Sequence, residues 1–212
     1  MKPDRTAFRP AEWRIIQEHR NPRQVQAFLR KLKYNKEEEA LSQRSFRTVI
    51  ERKSAHCLEA ALTAAVILEQ HGYPPLLLSF ESVDKLDHVI FIFQQDGLWG
   101  SVARSRDAGL HGRKPVFKTP RQLAASYIDP YVDFTGRITG YTVVDLNDLR
   151  NCDWRFSKNN LWKLENYLLD LEHKPLPTPE ARYQRLLKRY KEYRARYPKR
   201  QATYYDNKDL WM

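Results

Sequence analysis

A chain of 212 residues and 25.3 kDa is long enough for one well-buried core with an appendage and short for two full domains. Its 42% hydrophobic and 12% aromatic content excludes a wholly disordered chain, while 30% charged residues and a mean hydropathy of −0.73 predict a wet surface. No apolar run approaches the roughly 20 residues of a membrane helix, and "MKPDRTAFRP" has no apolar signal-peptide core, so a cytoplasmic address without a membrane partner is expected.

The net charge of +11 is unevenly spread. Residues 1–53 hold 14 Lys/Arg against 7 Asp/Glu, residues 54–179 hold 13 against 15, and residues 180–212 hold 10 against 4. Basic flanks of this kind favour polyanions or simply keep a protein soluble. The two cysteines, Cys57 and Cys152, read as free thiols, because a lone disulfide framework belongs to small secreted chains. No Cys/His spacing suits zinc and no Gly-rich phosphate loop is present, so no metal or cofactor is expected.

In chain order, Val25, Phe28, Leu29 and Leu32 recur at helical spacing with Pro22 near the first turn, and Phe46, Val49 and Ile50 supply a second short apolar face. Ser54 reads as the N-cap of a long apolar helix, "SAHCLEAALTAAVILEQH", which Gly72 and "YPP" end. Strands are predicted at "PLLLSFE" and "DHVIFIF", followed by a "QQDG" turn and a further strand through "LWGSVARS". A short strand around Val116, a helix from Pro120 to Ile128, a strand at "GYTVVDL" and a helix at "SKNNLWKLENYLLDLE" follow. "HKPLPTP" reads as a linker to a basic amphipathic helix with a stripe of Tyr183, Leu186, Leu187, Tyr190, Tyr193 and Tyr197. Packing of Tyr183, Leu187, Tyr190 and Tyr193 on the core is the expected use of that stripe. Weak contact with single-stranded nucleic acid is the rival.

Cys57, three residues after Ser54, falls in the first turn of the apolar helix. A helix N-terminus and a neighbouring imidazolium can bring a thiol from about 8.5 to roughly 3.5–7.5. A catalytic thiol needs a histidine from elsewhere in the fold, and His88 opens the strand "HVIFIF". His56 is read as a surface or capping residue, since consecutive helical residues point about 100° apart, and Glu59 as a helix-surface or ion-pair residue.

A helix with Cys near its start, a break, a strand, a strand opening on His and a strand containing Trp99 resemble, in that order, the transglutaminase-like superfamily of papain-like cysteine enzymes. The resemblance covers roughly residues 22–105, including "VQAFLRKLKYN" and "SFRTVIERKSAHC". It implies an α+β fold with the Cys-bearing helix packed on a small antiparallel sheet and flanking helices. It also implies acyl transfer through Cys57, with His88 as acid and base. The family's Asp would stand at Ala103, so the third role falls to Ser101, Ser105 or Asp107, or to a backbone carbonyl, and Ser101 and Ser105 share the face of Ala103 in a regular strand.

The expected organisation is a helical lead-in over 1–53, a transglutaminase-like core over 54–174, and a linker with a basic helix over 175–212. The expected activity is hydrolysis of a protein or peptide amide through a Cys57 acyl-thioester. A catalytically inactive module that binds protein or nucleic acid is the alternative. The sequence gives no oligomeric state.

Overall fold

Helix caps and one left-handed residue deliver the chain to Cys57. In the computed structural model, which describes residues 2–37, 40–85 and 87–212, the first helices are α1 (Pro10–Glu18), α2 (Pro22–Lys31) and α3 (Phe46–Arg52). Asn21 and Ser45 cap α2 and α3 by accepting from the N–H groups of Gln24 and Thr48. Helix α1 lies ahead of the expected lead-in helices, and its apolar residue Ile16 is buried against the core. Lys53, at φ 54°, stops α3. The chain then pairs β1 (Lys33–Tyr34) in parallel with β2 (Ser54–Ala55). Ser54 is therefore strand rather than cap. His56 takes the N-cap of α4 (Cys57–Glu69), which puts Cys57 at the first helical position.

Every residue of α4 after Cys57 is buried. A helix apolar all round must be enclosed, and α4 is the axis of the larger core, surrounded by side chains of α1, α2, α3 and the sheet.

The sheet follows as β3 (Leu76–Ser82), β4 (Val89–Gln95), β5 (Leu98–Val102), β6 (Arg113–Phe117), β7 (Ile138–Asp145) and β8 (Lys174–Pro175), in the spatial order β6-β5-β4-β3-β7-β8. Its neighbours are antiparallel throughout. Alternation sends Leu77, Phe91 and Phe93 to the α4 face and Leu78, Ile90 and Ile92 to the other. There α5 (Pro120–Ala125) and α6 (Ile128–Tyr131) cover them with Leu123, Tyr127 and Ile128. Asp96 and Gly97, at φ 52° and 77°, make the two-residue turn that joins β4 to β5. The protein is α+β, as expected, with α7 (Trp162–Asp170) packing Leu164 and Leu168 beside α4.

The C-terminal part departs from expectation. "HKPLPTP" contributes the edge strand β8, pairing Pro175 with Gly140, and buries Leu176 and Thr178. An edge position tolerates a residue without an N–H. Helix α8 (Glu180–Arg196) has no buried residue, and its aromatic stripe is half-buried on Arg137, Phe134 and Tyr204 rather than sunk into the core. The chain then returns: Tyr205 is buried, Trp211 bridges to Arg113, and Met212 N–H donates to the Gly112 carbonyl at 3.0 Å. No described helix is long and apolar enough to cross a membrane.

Candidate active site

Cys57 is a half-buried free thiol at the first position of α4, where the backbone N–H has no intrahelical acceptor and the helix dipole presents its positive end. Burial, the largest single influence, pushes the thiol up. Hydrogen bonds with His56 and His88 and the charges of those rings outweigh it, and the pKa falls well below the usual thiol value.

His56 is buried at 6% exposure, contrary to the surface reading. It does stand at the N-cap, but in extended backbone, φ −90° and ψ −169°, so the helical 100° rule does not govern its side chain. Its Nε2 donates to the Ser42 carbonyl at 2.8 Å, leaving Nδ1 for the sulfur. Burial lowers the ring's pKa; the hydrogen bond and charge of Cys57, the charge of Glu59 and the Ser42 carbonyl more than reverse this, to about 9.

Glu59 supplies that charge from the floor of the arrangement. Its carboxylate is fully buried and accepts from His56 N–H at 3.0 Å, Ser42 Oγ at 3.0 Å, Arg44 N–H at 3.1 Å and Asn35 Nδ2 at 3.1 Å. Two positively charged partners stand beside it, Arg44 Nε at 3.7 Å and the His56 ring nitrogen Nε2 at 3.5 Å, so the buried charge is both hydrogen-bonded and paired. Of the two readings of Glu59, ion pairing holds and helix surface does not: a capping-box acid three residues after the cap is buried and also ties Asn35, Ser42 and Arg44 to the site.

His88, at 4% exposure, arrives from the start of β4. Its ring lies parallel to Phe80 with centroids 6.1 Å apart. Its Nε2 donates to the Leu110 carbonyl at 3.1 Å, again leaving Nδ1 for the sulfur.

The three side chains expected to orient His88 are engaged elsewhere. Ser101 Oγ pairs with Tyr127 Oη at 2.7 Å and accepts from Arg113 N–H at 2.9 Å. Ser105 Oγ accepts from Asp107 N–H at 3.3 Å, and the Asp107 carboxylate faces Arg106 Nε at 3.4 Å. The reason is that β5 ends at Val102, so strand parity stops before Ser105. A turn of 3-10 helix, Ala108–Leu110, then brings a main-chain oxygen to the imidazole. Ala103, where the sequence resemblance would place an Asp, is buried, and its N–H and C=O are both taken by the Gln26 side chain at 3.0 and 2.9 Å.

Arg113, absent from the expected site, fixes that turn. Its fully buried guanidinium donates to the carbonyls of Gly109 and His111, each at 2.7 Å, on either side of Leu110. Its carbon sits 4.1 Å from the Tyr127 ring centroid. The signal in the sequence was "GLHGR". A Cβ on Gly112 would lie 2.2 Å from Gln26 Oε1 and 2.3 Å from the Ser101 carbonyl, so only glycine lets these segments close up.

Cys57, His56 and His88 open into one cleft of about 670 Å³, bounded also by Tyr34, Tyr131 and Leu168. Among the described residues that line it, six carboxylates stand against three Lys/Arg: Glu37, Asp84, Asp87, Asp107, Asp133 and Glu165 against Lys36, Lys85 and Arg106. The slightly acidic centre of the sequence is concentrated here. No group of three or more His, Cys, Asp or Glu among the described residues is placed to hold a metal ion. No protein-family model matches the chain, and no curated protein matches it.

Proposed function

We propose that the chain is a transglutaminase-like thiol enzyme that attacks the carbonyl of a protein or peptide amide with Cys57. The reading rests on one observation: a thiol at the start of a buried helix opens into one cleft with two imidazoles, which favour its thiolate. In this reading the thiolate adds to the carbonyl carbon, and the oxyanion takes the free N–H of Cys57 at the helix start. Collapse expels the amine, protonated by His88, and leaves an acyl-thioester. Water then attacks with His88 as base, and the carboxylic acid departs as the Cys57 thiolate re-forms.

The two imidazoles divide the work. His56, raised to about 9 by the thiolate and Glu59, remains a cation at neutral pH and holds the sulfur ionised. His88 is then the ring that moves protons. A carbonyl on Nε2 fixes its ring and tautomer as a carboxylate would, without adding negative charge. The fixed cation of His56 offsets that missing electrostatic support at the sulfur. The inactive-module alternative drew on the missing Asp, and the Leu110 carbonyl supplies a partner to the nitrogen it left open. Contact of the tail with nucleic acid finds less support, since Arg189 is committed to Asp206 and stacked on Tyr204, and Arg137 on Tyr183.

Alkylation by iodoacetamide, with site mapping, tests the reading. Cys57 is expected to react at pH 6 far faster than a free thiol, whose thiolate is scarce there, and to carry an acyl group by mass spectrometry after exposure to an activated ester. Ordinary thiol kinetics with no acyl adduct would leave only the inactive module.

A further inference from the structure

One wall of the cleft carries a buried acceptor without a donor among the described residues, the side-chain oxygen of Gln43. Gln43 is locked by its backbone: its N–H donates to Asn160 Oδ1 at 3.1 Å and its carbonyl accepts from Leu161 N–H at 2.7 Å. Its side-chain Nε2 donates to Glu165 Oε1 at 2.6 Å. Gln43 is 7% exposed, yet its Oε1 has no hydrogen-bond partner among the described residues. A buried amide oxygen left so costs about 1–3 kcal/mol, which a donor entering the cleft would recover.

The charge around this oxygen decides which donor. Glu165 stands in the first turn of α7 beside Glu37. It lines the same cleft as Cys57 and His56, and burial pushes its carboxyl up, opposed by His56, with Glu37 and Cys57 adding to the rise. On the opposite side Asp87 is likewise raised by burial, despite hydrogen bonds from Ser82. Arg106 is spent on Asp107 and Asp133 at 3.4 and 4.0 Å. Glu37 accepts from Ser42 N–H at 2.7 Å and stands 4.0 Å from His56 Nε2, and Glu165 has the Gln43 amide; a neutral donor would satisfy the Gln43 oxygen alone, whereas a cation also adds positive charge between these two carboxylates.

We propose that Gln43 and Glu165, backed by Glu37, form a subsite for an ammonium or guanidinium group that the substrate carries close to the carbonyl attacked by Cys57. This rests on the thiol-enzyme reading and names the substrate class. The remainder of the surface, at a net +11 for the chain, repels such a group, so the cleft is where a cation is drawn.

Charge-selective thiol reagents test it without knowledge of the substrate. In a Cys152→Ser background, Cys57 is treated with the trimethylammonium-ethyl and the sulfonato-ethyl methanethiosulfonates. With either reagent the thiolate forms a mixed disulfide and releases methanesulfinate. After normalisation to 2-mercaptoethanol, the cationic reagent is expected to be faster by at least about tenfold. Glu165→Gln and Gln43→Met should each shrink that ratio, and Asp148→Asn, an exposed acid outside the cleft, should not. Equal rates, an anionic preference, or a Glu165→Gln effect no larger than that of Asp148→Asn would overturn the subsite. Slowed labelling by a Lys-containing peptide amide alone assigns the cation to a side chain, and slowing by spermine alone to a free polyamine. Slowing by neither counts against the subsite. The ratio is measurable at pH 9 even if the thiol proves ordinary, so failure of the subsite and failure of the enzyme reading are separable.

Discussion

His56 and Cys57 are neighbours in sequence and line one cleft, the cap residue of a helix beside the thiol of its first position, and each shifts the other's charge. The pairing has a signed consequence for stability against pH. Taken alone, His56, raised from 6.5 to about 9, contributes stability that is full below 6.5 and lost as pH rises through 9. Taken alone, Cys57, lowered from 9.0, contributes stability that is full above 9.0 and lost as pH falls through its native value. Between 6.5 and 9 the native pair keeps its one proton on His56 and the unfolded pair keeps it on the thiol, so the slopes cancel. The pair's contribution is expected to rise from acid to about pH 6.5 and stay level to about 9. NMR titration of the His56 ring checks this, and a midpoint near 6.5 would refute it.

Arg113→Lys removes the fork that grips the carbonyls of Gly109 and His111. Loss of charge-assisted hydrogen bonds to a buried turn should cost about 2–4 kcal/mol by urea unfolding. If Arg113 positions Leu110 for His88, the midpoint of the iodoacetamide pH profile should also move up. A variant that loses stability with that midpoint unchanged would reduce Arg113 to a structural residue.

Glu59→Gln keeps the shape and removes the charge that His56 and its neighbours surround. It turns one acceptor into a donor among donors from Asn35, Ser42, Arg44 and His56. A loss of about 1–3 kcal/mol is expected from the unsatisfied group. The His56 pKa should fall, because the Glu59 charge helps to raise it. An unchanged His56 titration would show that the sulfur alone holds the ring charged.

Gly112→Ala places a methyl 2.3 Å from the Ser101 carbonyl, a main-chain atom that cannot swing aside. Overpacking of this kind should cost about 1–3 kcal/mol, seen as a lower melting temperature. A neutral result would mean that β5 and the 109–113 stretch are less tightly joined than their hydrogen bonds indicate.

Tyr205→Ala opens the contact under which the C-terminal segment closes over Gly109, whose Cβ position lies 3.0 Å from that ring. Truncating a buried aromatic should cost about 3–5 kcal/mol. Alanine at Tyr193 on α8, which is only half-buried, should cost less. Equal losses would return α8 to the core-packing role first expected of it.

Local pattern carried the elements whose cause is local. The apolar run of α4, the alternation in β4 and the Asp-Gly turn are each written in a few consecutive residues. The pairing of a thiol at a helix start with a histidine at a strand start was legible too, because both stand at element boundaries marked by chain breaks. Proline content misdirected the reading of 173–179: it reports which N–H groups are missing, and an edge strand needs few of them.

What the chain alone could not express is which polar group meets which across 20 or more residues. Ser101, Ser105 and Asp107 came from sequence proximity and strand parity, with a backbone carbonyl of no stated residue as the alternative; His88 bonds to the carbonyl of Leu110, a group every residue but none in particular possesses. Main-chain acceptors leave no mark in side-chain identity, so only the packing that places the 3-10 turn reveals them. The same holds for Arg113, whose guanidinium acts on carbonyls. His56 was visible as a cap, but whether a cap residue faces solvent or a thiol depends on Asn35 and Ser42, which pack over it, and on the buried Glu59 that holds them. Residue types set the helices, the strands and the place of Cys57 at a helix start; the closure of distant segments on one cleft decided how that thiol is charged and what surrounds it.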